Sequence, residues 1–212
     1  MAAAQPIAPA GQMCGLFAID IAAFTNQRRD EHVQLYLRES MYRMLDRAFT
    51  GAGVRPRAYR HEDRGDGVLV VLSPALPVGQ LADPLPERLR GLVRIHNHVS
   101  CPDAQIQLRA AAHAGPVYQD EHGYAGDAVN QLFRLLDAPL FKRSLAASGR
   151  ELGLIASEYL YRNVIVRHAT LVDPADFQPV PVPALGPDVN GWVHIPGGTA
   201  PAASVLPFDR TG

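Results

Sequence analysis

Residues 13–21, MCGLFAIDI, form a short apolar run closed by a carboxylate, which predicts a buried strand. After AFTNQRRDEH the period changes. Val33, Tyr36, Leu37, Ser40, Met41, Met44, Leu45 and Ala48 recur at helical spacing, and Gly51, Gly53 and then Pro56 close that helix. Residues 57–64 and 67–73 read as two strands joined by a tight G-D-G turn. A proline-rich loop leads to a second helical stripe of Leu85, Leu89, Leu92, Val93 and His96. Residues 105–112 and 116–119 predict a pair of strands around His113-Ala-Gly115. A third helix follows on Val129, Leu132, Phe133 and Leu136, then a short helix in LFKRSLAA, a strand in ELGLIAS and a last helix in SEYLYRNVI.

This order predicts a βαββαβ-type α+β sandwich, one sheet covered by helices on one side. Residues 1–12 read as a flexible N-terminal tail without the basic and apolar regions of a signal peptide. Residues 13–166 form the main domain. Residues 167–212 are a proline-rich C-terminal extension in which VPVPALGPDVNGWVHI makes at most a peripheral hairpin. At 212 residues the chain suffices for one substantial core, not two ordinary domains.

Charge narrows the partners. A net charge of -1 provides no basic field for nucleic acid or an anionic membrane, so neither is expected as a partner. Lys142 is the only lysine; every other cation of the Lys/Arg class is arginine. Cys14 and Cys101 lack a CxxC arrangement, which points to a reduced compartment, and no apolar stretch approaches the ~20 residues of a membrane span. A cytoplasmic location is expected.

Two carboxylates then stand out. Asp20 ends the first strand and Asp66 sits in the hairpin turn R-G-D-G. Each alone reads equally as a turn former. In a βαββ unit, however, the first strand and the hairpin are neighbours in one sheet, so the two carboxylates can converge at one edge. Paired carboxylates are how a protein holds Mg²⁺ against substrate phosphates. The loop Ala22-Ala23-Phe24-Thr25 would present backbone N–H groups at a helix entrance, an anion site. Asn130 and Arg134, four apart, share a helix face. Arginine suits a phosphate and asparagine a sugar oxygen; a merely solvated face is the alternative. His96-Asn97-His98 has the letters of a nuclease motif but not its surroundings, and reads as a surface helix end. H-x-H, even with His113 counted, lacks the ligands of a zinc site.

The blocks FAIDIAAFT, RGDGVLVVL, HAGPV and YAGDAVNQLFRLL resemble, in order and spacing, the signatures of class III adenylate/guanylate (nucleotidyl) cyclase catalytic domains. The resemblance covers about residues 13–166. It implies a ferredoxin-like, palm-type βαββαβ sandwich and conversion of a nucleoside triphosphate to a 3′,5′-cyclic nucleotide. Two Mg²⁺ or Mn²⁺ ions would be held by Asp20, Asp66 and the Ile21 carbonyl. Ala22, Ala23, Phe24 and Thr25 would bind phosphates, Asn130 the ribose, and Arg134 the α-phosphate. The sites would be shared across a head-to-tail homodimer. The base-reading positions fall on Glu62 and near Gly123. A carboxylate at the first matches guanylate cyclases and not adenylate cyclases, and also accepts from uracil, so GTP or a pyrimidine triphosphate is expected before ATP. Pyrimidine cyclases of antiphage defence systems are a related branch.

The chain departs from the family pattern in four places. Ala23 replaces a glycine, which matters only if that residue needs a positive φ. Gln131 and Phe133 are larger than usual. Gly123 has no side chain. The usual phosphate-binding lysine of the C-terminal hairpin is missing, and Lys142 lies in another segment. The alternative expectation is therefore a catalytically degenerate cyclase fold that binds nucleotide or dimerises without turnover.

Overall fold

The computed structural model describes residues 11–167 and 172–197. Residues 1–10 of the expected tail, and the extension's residues 168–171 and 198–212, lie outside the described residues. Strand β1 (Gln12–Ile21) is followed by α1 (Glu31–Gly51), β2 (Tyr59–Asp63), β3 (Gly67–Leu72) and α2 (Leu85–Val99). Next come β4 (Leu108–Asp120), β5 (Gly123–Ala125), α3 (Asp127–Leu136), α4 (Pro139–Ser148) and β6 (Leu152–Ser157). A helical turn, α5 (Glu158–Leu160), leads through a π-helical segment to β7 (Gln178–Pro181) and β8 (Asn190–His194). The strands form one eight-stranded sheet in the order β2-β3-β1-β4-β6-β8-β7, with β5 paired to the far end of β4.

The alternation of β1 sets the layers. Phe17, Ile19 and Ile21 point to one face, where they join Leu37, Met41 and Leu45 of α1 and Leu85, Leu89 and Val93 of α2. Leu16 and Ala18 point to the other, against Val129, Leu132 and Leu135 of α3 and Phe141 and Leu145 of α4. Helices therefore cover both faces, not one. A strand that is apolar on both sides requires this, since either bare face would leave its side chains in water.

Two further expectations are corrected. The segment around His113 is not a break between two strands: β4 is continuous and pairs with β1 from Gln12↔Val117 to Ile21↔Leu108. His113 is a buried side chain whose Nδ1 lies 2.8 Å from Ser157 Oγ, and a Cβ on Gly115 would come 2.6 Å from the Cβ of Ala128. The glycine lets α3 approach the sheet; it does not turn the chain. The C-terminal hairpin is also more than an appendage, because β8 pairs antiparallel with β6 and so extends the sheet itself. No helix among the described residues is long and apolar enough to cross a membrane.

Candidate active site

Asp20 lies in a row of residues across four strands. It faces Gly67 of β3 on one side and Arg109 of β4 on the other, and Arg109 in turn faces Gly153 of β6. By the alternation of β1, its side chain shares the α3/α4 face with Leu16 and Ala18. The neighbouring glycines make room: a Cβ on Gly67 would lie 2.9 Å from the Asp20 Cβ, and one on Gly153 3.0 Å from the Phe141 ring of α4. Arg109 grips Asp20 with a two-pronged pair, Nε donating to Oδ1 at 2.6 Å and Nη2 to Oδ2 at 2.8 Å. Both side chains are largely buried. Nothing in the signature blocks flags Arg109. The strand register alone places it beside Asp20.

Asp66 is brought to the same corner. The Ile21 N–H donates to the Asp66 carbonyl at 3.0 Å, which ties the end of β1 to the hairpin turn. The charge of Asp66 bears on Asp20. Burial pushes the Asp20 carboxyl above its usual range, the hydrogen bonds and charge of Arg109 pull it back, and the charge of Asp66 raises it further. Lys142 of α4 also reaches Asp20 electrostatically, while its Nζ bonds Asp137 at 2.6 Å. Two carboxylates confined at one sheet corner suit a hard divalent cation. Among the described residues no cluster of three or more His, Cys, Asp or Glu offers a full ligand set. Remaining positions would thus fall to backbone carbonyls, water and substrate oxygens.

The Ala22–Thr25 segment is a turn and not a helix entrance. The first helix begins at Glu31, where Asp30 already caps it by accepting from Val33 N at 2.9 Å. The Ala22 N–H donates to Gln107 O at 2.9 Å. Among the described residues, no acceptor is found for the N–H groups of Ala23, Phe24 or Thr25. Ala23 has φ +53°, the one positive φ outside glycine among the described residues. The departure from glycine at this position is therefore a strained one.

Glu62 and Gly123, the two positions expected to read the base, lie side by side across β2 and β5. The Glu62 carboxylate accepts from Tyr124 N at 2.6 Å and from Arg64 Nη2 at 2.7 Å. It occupies the space that a side chain on Gly123 would need, and Gly123 has φ +134°. The bareness of Gly123 is thus the complement of Glu62. Together they line an open groove of about 560 Å³, with Arg64, Asp120 and His122 on its rim.

Asn130 and Arg134 stand exposed on α3, and among the described residues no side-chain hydrogen bond or ion pair joins them to Asp20 or Asp66. Leu132 between them is fully buried, while Phe133 packs partly into the core beneath the Arg64 guanidinium, 5.2 Å from its ring centroid.

With these features in place, the fold is one shared with solved adenylate and guanylate cyclase domains. No family model and no curated protein matches the sequence. Solved structures do. The chain superposes on an adenylate/guanylate cyclase/hydrolase from Silicibacter pomeroyi with a TM-score of 0.59, at 18% identity over 87% of this chain and 97% of that one. A non-canonical dimeric guanylyl cyclase domain of the RhoGC fusion protein from the aquatic fungus Blastocladiella emersonii gives 0.57, at 18% identity over 90% and 99%. The guanylate cyclase domain of RhGC from Catenaria anguillulae, in complex with GTP, gives 0.54, at 16% identity over 88% and 96%.

Proposed function

We propose that this protein is a nucleotidyl cyclase, which converts a nucleoside triphosphate to a 3′,5′-cyclic nucleotide and pyrophosphate. The observation that carries the reading is the meeting of Asp20 and Asp66 at one sheet corner, beside a turn whose N–H groups at 23–25 find no acceptor among the described residues, on a fold shared with cyclase domains. Asp20, Asp66 and the Ile21 carbonyl would hold Mg²⁺ or Mn²⁺. Bound there, two such ions would polarise the phosphates and favour ionisation of the ribose 3′-hydroxyl.

The chain's own groups do the positioning. The N–H groups of Ala23 to Thr25 cradle the outer phosphates, and Asn130 orients the ribose. Arg134 offsets the charge that develops as the 3′-oxygen attacks the α-phosphorus and pyrophosphate departs. The exposure of Asn130 and Arg134, without a bond to Asp20 or Asp66, supports their acting on the site of a second protomer in a head-to-tail homodimer. Incubation with each of the four ribonucleoside triphosphates plus Mn²⁺, with products read by mass spectrometry, tests the proposal. A cyclic product from at least one is expected; none would reject it.

Base choice rests on Glu62. An ionised carboxylate only accepts, so it suits guanine or uracil N–H groups and not the N1 acceptor of adenine. GTP or a pyrimidine triphosphate is therefore favoured over ATP. Its bonds to Tyr124 and Arg64 use one direction on each oxygen and leave acceptor capacity. Glu62→Lys should narrow the gap to ATP by roughly ten- to a hundredfold in relative kcat/KM, as loss of a buried hydrogen-bond match does. Unmoved ratios would remove Glu62 from base reading.

One observation favours a second reading, nucleotide binding without turnover. Arg109 already engages both oxygens of Asp20. In that case the nucleotide binds while Asp20 stays paired with Arg109 and takes no ion, and no cyclic product forms.

A further inference from the structure

The guanidinium of Arg29 lies beneath the Ala22–Thr25 turn and makes four hydrogen bonds, all to backbone carbonyls. Nη1 donates to Ala22 O at 3.2 Å and to Ala23 O at 3.0 Å. Nε donates to Asp103 O at 3.2 Å and Nη2 to Gln105 O at 2.8 Å. The first pair belongs to the turn, the second to the segment that leads from α2 into β4. No carboxylate side chain takes part in these bonds.

That second segment is itself fastened. Asn97 of α2 donates Nδ2 to Ile106 O and accepts Ile106 N on Oδ1, both at 2.7 Å, and His96 Nε2 lies 2.9 Å from Ala104 O. The His96-Asn97 pair is thus the anchor of a shelf over 104–106. Arg29 hangs the turn from it. The consequence for the turn is directional. Carbonyls of Ala22 and Ala23 are drawn inward to the guanidinium, and Ala23 is held at φ +53°, a conformation an alanine leaves readily if nothing restrains it. With the carbonyls turned in, the N–H groups of Ala23 to Thr25 are left for a ligand.

We infer that Arg29 is a positioning residue for the phosphate-binding turn: it sets the shape of the N–H cradle without touching the phosphates. The inference rests on the reading of Ala22–Thr25 as that cradle. It depends on the planar fork of arginine, because one group must reach four carbonyls on two segments at once. Lysine has the charge and not the fork.

The test compares wild type, Arg29→Lys and Arg29→Met. Amide hydrogen exchange is followed over residues 22–29 without ligand, and pyrophosphate binding with Mn²⁺ is followed by calorimetry. Both variants should speed exchange in the turn, while exchange in β1 and β4 stays at the wild-type rate. Both should weaken pyrophosphate about tenfold, with Arg29→Lys no better than Arg29→Met. If Arg29→Lys restores both exchange and affinity, charge and not positioning is the role, and the inference is overturned. Unchanged exchange in both variants overturns it equally. If wild type fails to bind pyrophosphate while the turn still loosens in both variants, Arg29 holds the turn but the cradle reading falls, and the inference with it.

Discussion

Ala23 and His113 each hold a state that their surroundings impose. The left-handed backbone of Ala23 costs an L-residue about 1–2 kcal/mol, part of which a glycine's extra freedom in the unfolded chain would offset. Ala23→Gly should therefore raise stability by about 0.5–1 kcal/mol, read as a higher urea midpoint; a lower midpoint would contradict the strain. His113 is kept neutral, because burial pushes its pKa from 6.5 down to about 4. The unfolded chain takes up that proton below 6.5 and the folded one only near 4. Stability is thus complete above the higher value and is lost as pH falls through this window. Between about pH 7 and pH 4.5 the loss from this residue is of the order of 2 kcal/mol. His113→Asn should lower stability at neutral pH yet show a shallower fall of the urea midpoint with acid. A parallel fall in both proteins would show that His113 is not the group that titrates.

The packing of α3 on β4 places Asn130 and Arg134, and it includes a close approach of Gly115 to Ala128. Gly115→Ala would force the helix outward, costing about 1–3 kcal/mol as overpacking does and lowering kcat/KM through displaced side chains. Denaturation and kinetics on the same preparation check this; unchanged values in both would mean that α3 can shift freely. The contact also shows what was legible in the sequence. From β1 to α2 each element carries its own period and its own stop, so pattern alone finds them. In β4, H-A-G carries turn chemistry, and the partner that explains Gly115 lies on another element. Asp20, Asp66 and the Glu62–Gly123 pair can be located from local motifs. Arg109 and Arg29 cannot, because their partners are set by strand register and by backbone carbonyls, which leave no mark in residue type. The two-faced helical cover is legible in the sequence, since MCGLFAIDI is apolar at both parities, whereas the element order by itself suggests cover on one side.

Across the whole molecule, a site that draws Asp20 from one protomer and Arg134 from another has a distinctive signature. Asp20→Asn and Arg134→Ala, each inactive alone, should regain activity when mixed, up to about a quarter of wild type if subunits exchange at random and one intact site forms per mixed dimer. No recovery, together with an active species that sediments as a monomer, would mean a site built within one chain. The margins of the sheet bear on how two copies could meet. At one margin β7 carries Pro179 and Pro181, which have no N–H to offer a new strand. At the other, β2 presents Arg60, Glu62 and Asp63. Prolines at one rim and charged side chains at the other both disfavour pairing with a neighbour's backbone, as sheet edges that resist aggregation do. Crowded copies of this chain are thereby steered toward contacts through their faces and loops.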